Sequence, residues 1–263
     1  MSDRRQRQKE QRAAKRETEK KQAARKELGR RLGTALVFGV IVVAFLAFTG
    51  VFGGESTDLP GGYEGFRDQP TACGAEQPPP EGIMTFDAPT QQTDISATSN
   101  VTATLATSCG EIVLQLDPAA SPATVNSFVF LARQNFFNGQ VFHRIAQNFV
   151  AQSGDPNADG TGGPGYVIPD EYPTDPDFVY EEGVVAMQNR GARSTGSQFF
   201  IVIGDDGRFL TRSFNILGTV VSGQDALAKI SQIPVGESPG SVEESLPLES
   251  VYIDSVTIDV SDS

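Results

Sequence analysis

Residues 32–52, LGTALVFGVIVVAFLAFTGVF, hold no charged side chain in 21 positions. A helix apolar on every face must be surrounded by protein or by lipid. At about 1.5 Å per residue, this length spans the roughly 30 Å of bilayer hydrocarbon. A buried helix of a soluble domain is one rival reading. A cleaved signal peptide is another, helped by the small residues of Ala44–Ala47. The run is longer than the roughly 7–15 residues of a secretory apolar core, and its basic forerunner is also long. A single uncleaved transmembrane signal-anchor helix over 32–52 is therefore the expectation.

The charges on the two sides of this run differ. Residues 1–31 carry thirteen Lys/Arg and five acids, a net of +8, which leaves eight basic and 28 acidic residues, a net of −20, for the rest. Basic flanks stay in the cytoplasm, so the chain reads as a single-pass cytoplasmic-membrane protein. Its N-terminus would be cytoplasmic and everything after Phe52 extracytoplasmic. Nucleic-acid binding by residues 1–31 is weighed and not expected, because the segment offers no aromatic side chain for base stacking. Contact with anionic lipid suits it better.

Residues 53–99 are rich in Gly, Pro and acids and carry no helical or strand period, which suggests a linker that holds the following domain off the membrane. The two cysteines, Cys73 and Cys109, both fall on the expected outer side, where a disulfide is allowed. One histidine and two distant cysteines make no usual zinc site, so no metal is expected.

From residue 100 the pattern changes. VTATLAT alternates Val101, Ala103 and Leu105 with threonines, and EIVLQL alternates Ile112, Leu114 and Leu116 around a Ser108–Gly110 turn. Ser121-Pro122 reads as an N-cap with proline at the first helical position, and Val125, Phe128, Val129 and Ala132 form a helical stripe. Strands are expected at 141–145, 149–153, 184–188, 199–203, 216–221 and 251–260, with a second helix at 223–233. The domain, residues 100–263, is then mostly β, a closed barrel or a sandwich.

Four candidate sites fail on physical grounds. DPNADG (155–160) opens like a calcium loop, but Tyr166 stands where a bidentate Glu is needed. GTGGPG (160–165) fits a dinucleotide fingerprint, but Pro164 and YVIPDEYP cannot open the required helix, which leaves a flexible glycine loop. The carboxylates of 171–183 have no pairing signal and read as a solvated acidic loop. His143 could serve a serine triad only with a G-x-S-x-G partner, which does not accompany it, and a structural role is expected.

FHRI (142–145), FVAQSGD (149–155), GTGG (160–163) and GSQFFI (196–201) occur in that order. Together they resemble the signature blocks of the cyclophilin-type peptidyl-prolyl cis-trans isomerases, and the resemblance extends over roughly residues 100–261. It implies a closed antiparallel β-barrel of cyclophilin type with two helices, no cofactor, and proline-containing polypeptides as partners. It also implies that Arg144 is the catalytic arginine, with Gln152 and Asn189 beside it in catalysis. Phe149, Val150, Phe200 and Leu210 would wall the proline pocket. Gln198 would orient the substrate backbone, the main chain of Asn189 would pair with the peptide, and Gly160 would belong to the glycine loop beside the groove.

The sequence departs from the family at several of these positions. Phe209 stands where some relatives carry the tryptophan associated with cyclosporin binding, and Phe214 replaces a pocket-edge histidine. Gln188 and Arg190 flank Asn189 where many relatives have alanines. The expected function is isomerisation of X-Pro bonds in exported polypeptides, assisting their folding. The alternatives are a catalytically weak Pro-peptide-binding chaperone or scaffold, and an outer sensor domain whose basic tail binds a cytoplasmic partner. Oligomeric state is not read from the sequence.

Overall fold

A computed structural model describes residues 62–80 and 82–261. The basic segment 1–31, the apolar run 32–52 and residues 53–61 of the expected linker lie outside the described residues. Among the described residues, no helix is long and apolar enough to cross a membrane. In chain order the elements are α1 (Tyr63–Arg67), β1 (Asn100–Thr107), β2 (Gly110–Leu116), α2 (Pro122–Arg133), β3 (Arg144–Ala146) and β4 (Val150–Ser153). There follow β5 (Val184–Met187), β6 (Phe199–Val202), β7 (Ile216–Ser222), α3 (Gln224–Ser231), β8 (Val235–Glu237), β9 (Glu244–Pro247) and β10 (Ile253–Ser261).

Eight strands form one antiparallel sheet in the order β10-β1-β2-β7-β5-β6-β4-β3. The expected closed barrel is corrected: the sheet is a half-barrel whose end strands, β10 and β3, do not pair along their length. The reason is length, since β3 holds three residues against nine in β10. The chain just before β3 crosses the gap instead, with Phe142 N–H donating to the Val251 carbonyl at 2.9 Å and Gly139 N–H to that of Ile253 at 2.8 Å.

Alternation decides what each strand buries. Val101, Ala103 and Leu105 of β1 and Ile112, Leu114 and Leu116 of β2 point into one core together with Ile145, Ala151, Val185, Met187, Phe199 and Ile201. Helix α2 lays Val125, Phe128 and Val129 on the same core. Its Phe128 ring stacks on Phe137 at 4.9 Å and meets Phe199 edge-on at 5.8 Å. Ser121 makes no side-chain cap on this helix. The carboxylate of Glu171 does so instead, accepting from the Ala123 and Thr124 amides at 3.0 and 2.9 Å. An acid there also suits the positive end of the helix dipole. Glu171 is thus a structural member of the loop expected to be solvated.

Residues 62–99 do not behave as a free spacer. Phe66 and Ala72 are fully buried, and Phe86 meets the ring of Phe130 edge-on at 5.0 Å. Ala72 N–H donates to Ser250 and Ser250 N–H to Pro70. A disulfide joins Cys73 to Cys109 across 36 residues. No period marked this stretch because it folds as a strap, held by single anchors rather than by a face of an element.

His143 is 1% exposed. Burial, then the neighbouring Arg144 charge, lowers its pKa to about 3, so it is neutral at pH 7. The unfolded chain binds a proton at His143 below about pH 6.5 that the folded chain refuses. His143 therefore costs stability progressively as pH falls from about 6.5 towards 3. Asp155, pushed up to about 6 chiefly by burial, acts in the opposite sense: its contribution is present below about pH 3.8 and is lost as pH rises through about 6. Because the two overlap, the informative quantity is a difference. The unfolding free energy of wild type minus that of His143→Gln should fall as pH is lowered from 7 to 4, and a constant difference would contradict a neutral buried imidazole. Removing the disulfide by Cys73→Ala with Cys109→Ala should lower the unfolding free energy by about 2–4 kcal/mol. Limited proteolysis of that variant should then cut first within residues 62–99.

Candidate functional site

The same alternation that fills the core puts a different set of side chains on the other face of the sheet. Arg144 on β3 is the cross-strand partner of Gln152 on β4, Gln152 of Phe200 on β6, and Phe200 of Ala186 on β5. Cross-strand partners lie about 5 Å apart and share a face. Arg144, Gln152, Phe200 and Ala186 thus form one row across four strands, with Val150 one pleat away. The odd neighbours Ile145, Ala151 and Phe199 go to the core.

At one end of the row, the Arg144 guanidinium lies over the Phe149 ring, 5.5 Å from its centre. It is paired with Glu243, accepting from Arg144 Nη2 at 2.5 Å and from Nε at 3.1 Å. At the other end, Phe200 meets Phe214 edge-on at 5.4 Å. Tyr180 packs on both rings, and its hydroxyl donates to the Phe214 carbonyl at 2.9 Å. The result is an apolar aromatic wall next to a fixed cation.

Between these ends runs a chain of amides. Gln152 Nε2 donates to Gln198 Oε1 at 2.9 Å, and Gln198 Nε2 donates to the carbonyls of Gly160 and Gly162 at 3.1 and 2.9 Å. The glycine loop is therefore not loose. The Asp155 carboxylate accepts from the amides of Asn157 at 2.8 Å and Gly160 at 2.6 Å, and it sits so close to Gly162 that a Cβ there would lie 2.1 Å from it. Only glycine fits that approach. DPNADG thus uses its first aspartate to shape this loop.

Residues 188–190 form the next wall. Gln188 N–H donates to the Gln198 carbonyl at 2.8 Å, continuing the β5–β6 pairing. Asn189 uses its side chain to hold its own loop, donating to the Ser213 carbonyl at 2.7 Å and accepting from Gly191 N–H at 3.0 Å. Its carbonyl accepts from Gln188 Nε2 at 3.1 Å. Arg190 reaches across to donate to the Gly160 carbonyl. A cavity of about 650 Å³ opens beside this wall, lined by Gln188, Asn189, Arg190, Gln198 and the glycine loop, and on its far side by Ile83 and Thr85 of the strap. Arg144 is not among its lining residues.

Of the remaining residues singled out in the sequence, Phe209 closes the single turn Asp205–Phe209 at 44% exposure and Leu210 follows it, half-buried. Sequence reasoning missed Glu243, Tyr180, Asp155 and the strap residues Ile83 and Thr85. Tyr180 is one of three aromatics among the acids of 171–183, and nothing in the sequence marks it over Tyr172 and Phe178. Glu243 had no signal either, being 99 residues from Arg144 in a Gly/Pro/Ser-rich stretch.

Comparison with known proteins bears on the whole domain. The family described as cyclophilin type peptidyl-prolyl cis-trans isomerase/CLD matches residues 102–258. A probable peptidyl-prolyl cis-trans isomerase B of Mycobacterium leprae is 38% identical over 174 residues, 61% of this chain and 58% of that protein. A probable peptidyl-prolyl cis-trans isomerase A of the same organism is 37% identical over 179 residues, 62% of this chain and 94% of its own length. The chain spans little more than half the length of the first of these relatives. In fold, a crystal structure of a Cryptosporidium parvum cyclophilin type peptidyl-prolyl cis-trans isomerase, described in the presence of the dipeptide Ala-Pro, is similar with a TM-score of 0.54 at 24% identity, over 60% of this chain and 98% of that one. With the family match covering more than half of its residues, the chain belongs to the cyclophilin-type peptidyl-prolyl cis-trans isomerases.

Proposed function

We propose that this chain catalyses cis–trans isomerisation of X-Pro bonds in proline-containing polypeptides outside the cytoplasm, assisting their folding, while anchored to the bilayer by residues 32–52. The observation that carries the catalytic reading is the single row of Arg144, Gln152 and Phe200 across one sheet face. It sets a fixed cation and an amide donor beside an apolar wall.

The reaction explains why such a row suffices. Amide resonance imposes a rotation barrier of about 18–20 kcal/mol, and X-Pro bonds cross it in roughly tens to hundreds of seconds. No bond breaks, so neither a nucleophile nor a proton shuttle is required. In the twisted amide the prolyl nitrogen becomes pyramidal and a better hydrogen-bond acceptor. The planar Arg144 guanidinium donates to that nitrogen and stabilises the twisted amide more than the planar one. Phe149, Val150, Phe200, Leu210 and Phe214 hold the ring. Gln152 and Gln198, with the backbone of Asn189, hold the flanking peptide while the other half turns. Lowering the barrier by about 4 kcal/mol gives roughly a thousandfold.

The anchored, extracytoplasmic part of the reading is supported by the charge split about residues 32–52 and by the Cys73–Cys109 disulfide, which suits an oxidising compartment. A second reading, a Pro-peptide-binding module with weak turnover, draws support from the carboxylate on Arg144 and from Arg190 spanning to Gly160.

Arg144→Ala in the full chain should lower kcat/KM for an Ala-Pro peptide by about a hundred- to a thousandfold, measured by NMR exchange. Equal rates would remove Arg144 from its role, and peptide binding without faster exchange in wild type would select the second reading. Protease added outside intact spheroplasts should degrade the domain and spare residues 1–31; a fully protected chain would refute the topology.

A further inference from the structure

Arg144 is buried to 1% exposure, and its ion-pair partner, Glu243 at 21%, comes from the β8–β9 hairpin rather than from the strands that carry the row. The hairpin tip is built around that carboxylate. Glu243 Oε2 accepts from Ser245 Oγ at 2.9 Å, and Ser245 shares a 2.7 Å hydrogen bond with Ser238 across the hairpin. The amide of Glu243 donates to Ser241 Oγ at 3.0 Å, and its carbonyl accepts from Ser238 N–H at 2.8 Å. Glu243 is thus fixed through its side chain, its amide and its carbonyl before it meets the arginine.

A guanidinium on a flexible stem has two orientations to lose: the tilt of its plane and its rotation within that plane. The Phe149 ring beneath it restrains the tilt. A two-point pair with Nε and Nη2 restrains the rotation, because both atoms lie on one edge of the planar fork. The pair does not involve Nη1. Resting on the reading of Arg144 as the catalytic arginine, we propose that Glu243 is a positioning residue for isomerisation: it clamps the Nε–Nη2 edge so that the guanidinium meets the prolyl nitrogen in one orientation, and the β8–β9 hairpin is part of the catalytic apparatus.

A carboxylate so close could act in the opposite way, by neutralising the arginine and competing with substrate. The two roles predict opposite signs. In the full chain, kcat and KM for an Ala-Pro peptide should be compared among wild type, Glu243→Gln, Glu243→Asp and Arg144→Ala, with unfolding midpoints and the Arg144 Nε–H resonance followed in parallel. Positioning requires Glu243→Gln to lower kcat about tenfold or more while KM stays within about twofold. Glu243→Asp should recover part of the loss, and the Nε–H signal should shift or broaden in Glu243→Gln even where its midpoint matches wild type. A Glu243→Gln rate equal to or above wild type, with Arg144→Ala inactive, overturns the inference and leaves the reading of Arg144 intact. Full activity in Arg144→Ala overturns both.

Discussion

The two-residue period of four short strands is the constraint on which the site depends. In β3, β4, β5 and β6 every side chain is buried, so polarity alone does not separate the faces. Register does. Ile145, Ala151, Phe199 and Ile201 go into the core, and their immediate neighbours Arg144, Val150, Gln152 and Phe200 go to the other face. A slip of one residue in β4 would exchange Gln152 for Ala151, putting an amide into the core and removing it from the row. The dense aromatic packing of Phe199 against Phe128, Phe137 and Phe142 therefore has a second effect. By holding Phe199 in the core it holds Phe200 in the wall.

This arrangement also explains why a buried arginine is tolerated. A guanidinium removed from water needs compensation, and leaving one partner of such a pair alone is costly. Arg144 receives a two-point carboxylate contact and an aromatic face. Gln152 Nε2 is oriented by Gln198, and Gln198 Nε2 by the glycine loop, while the buried Oε1 of Gln152 has no hydrogen-bond partner among the described residues and faces the row as an open acceptor.

The parts of the fold carried by periodicity could be read from the chain. The alternation of Val101, Ala103 and Leu105, and the stripe of Val125, Phe128, Val129 and Ala132, mark elements that the structure contains within a few residues. Arg144, Gln152 and Phe200 come from three separate sequence blocks, and only register shows that they are neighbours. What could not be read depends on single long-range contacts. Sheet closure depended on the length of β3, the α2 cap came from Glu171 rather than Ser121, and Glu243 reaches Arg144 from 99 residues away. The stretch before residue 100 looked like a spacer because Gly and Pro carry no period. Its attachments include Phe66, Ala72, Phe86, the Arg133–Asp94 ion pair and one disulfide, each an isolated anchor.

That strap alters the mechanics of any attachment upstream. A pull arriving at residue 62 would meet buried Phe66 and Ala72 and then the Cys73–Cys109 bond before it reached any strand. That bond ends in the turn between β1 and β2, at the opposite side of the sheet order from β4 and β3. The load would therefore enter the sheet away from Arg144 and Gln152, which leaves the strap as a strain relief for the row.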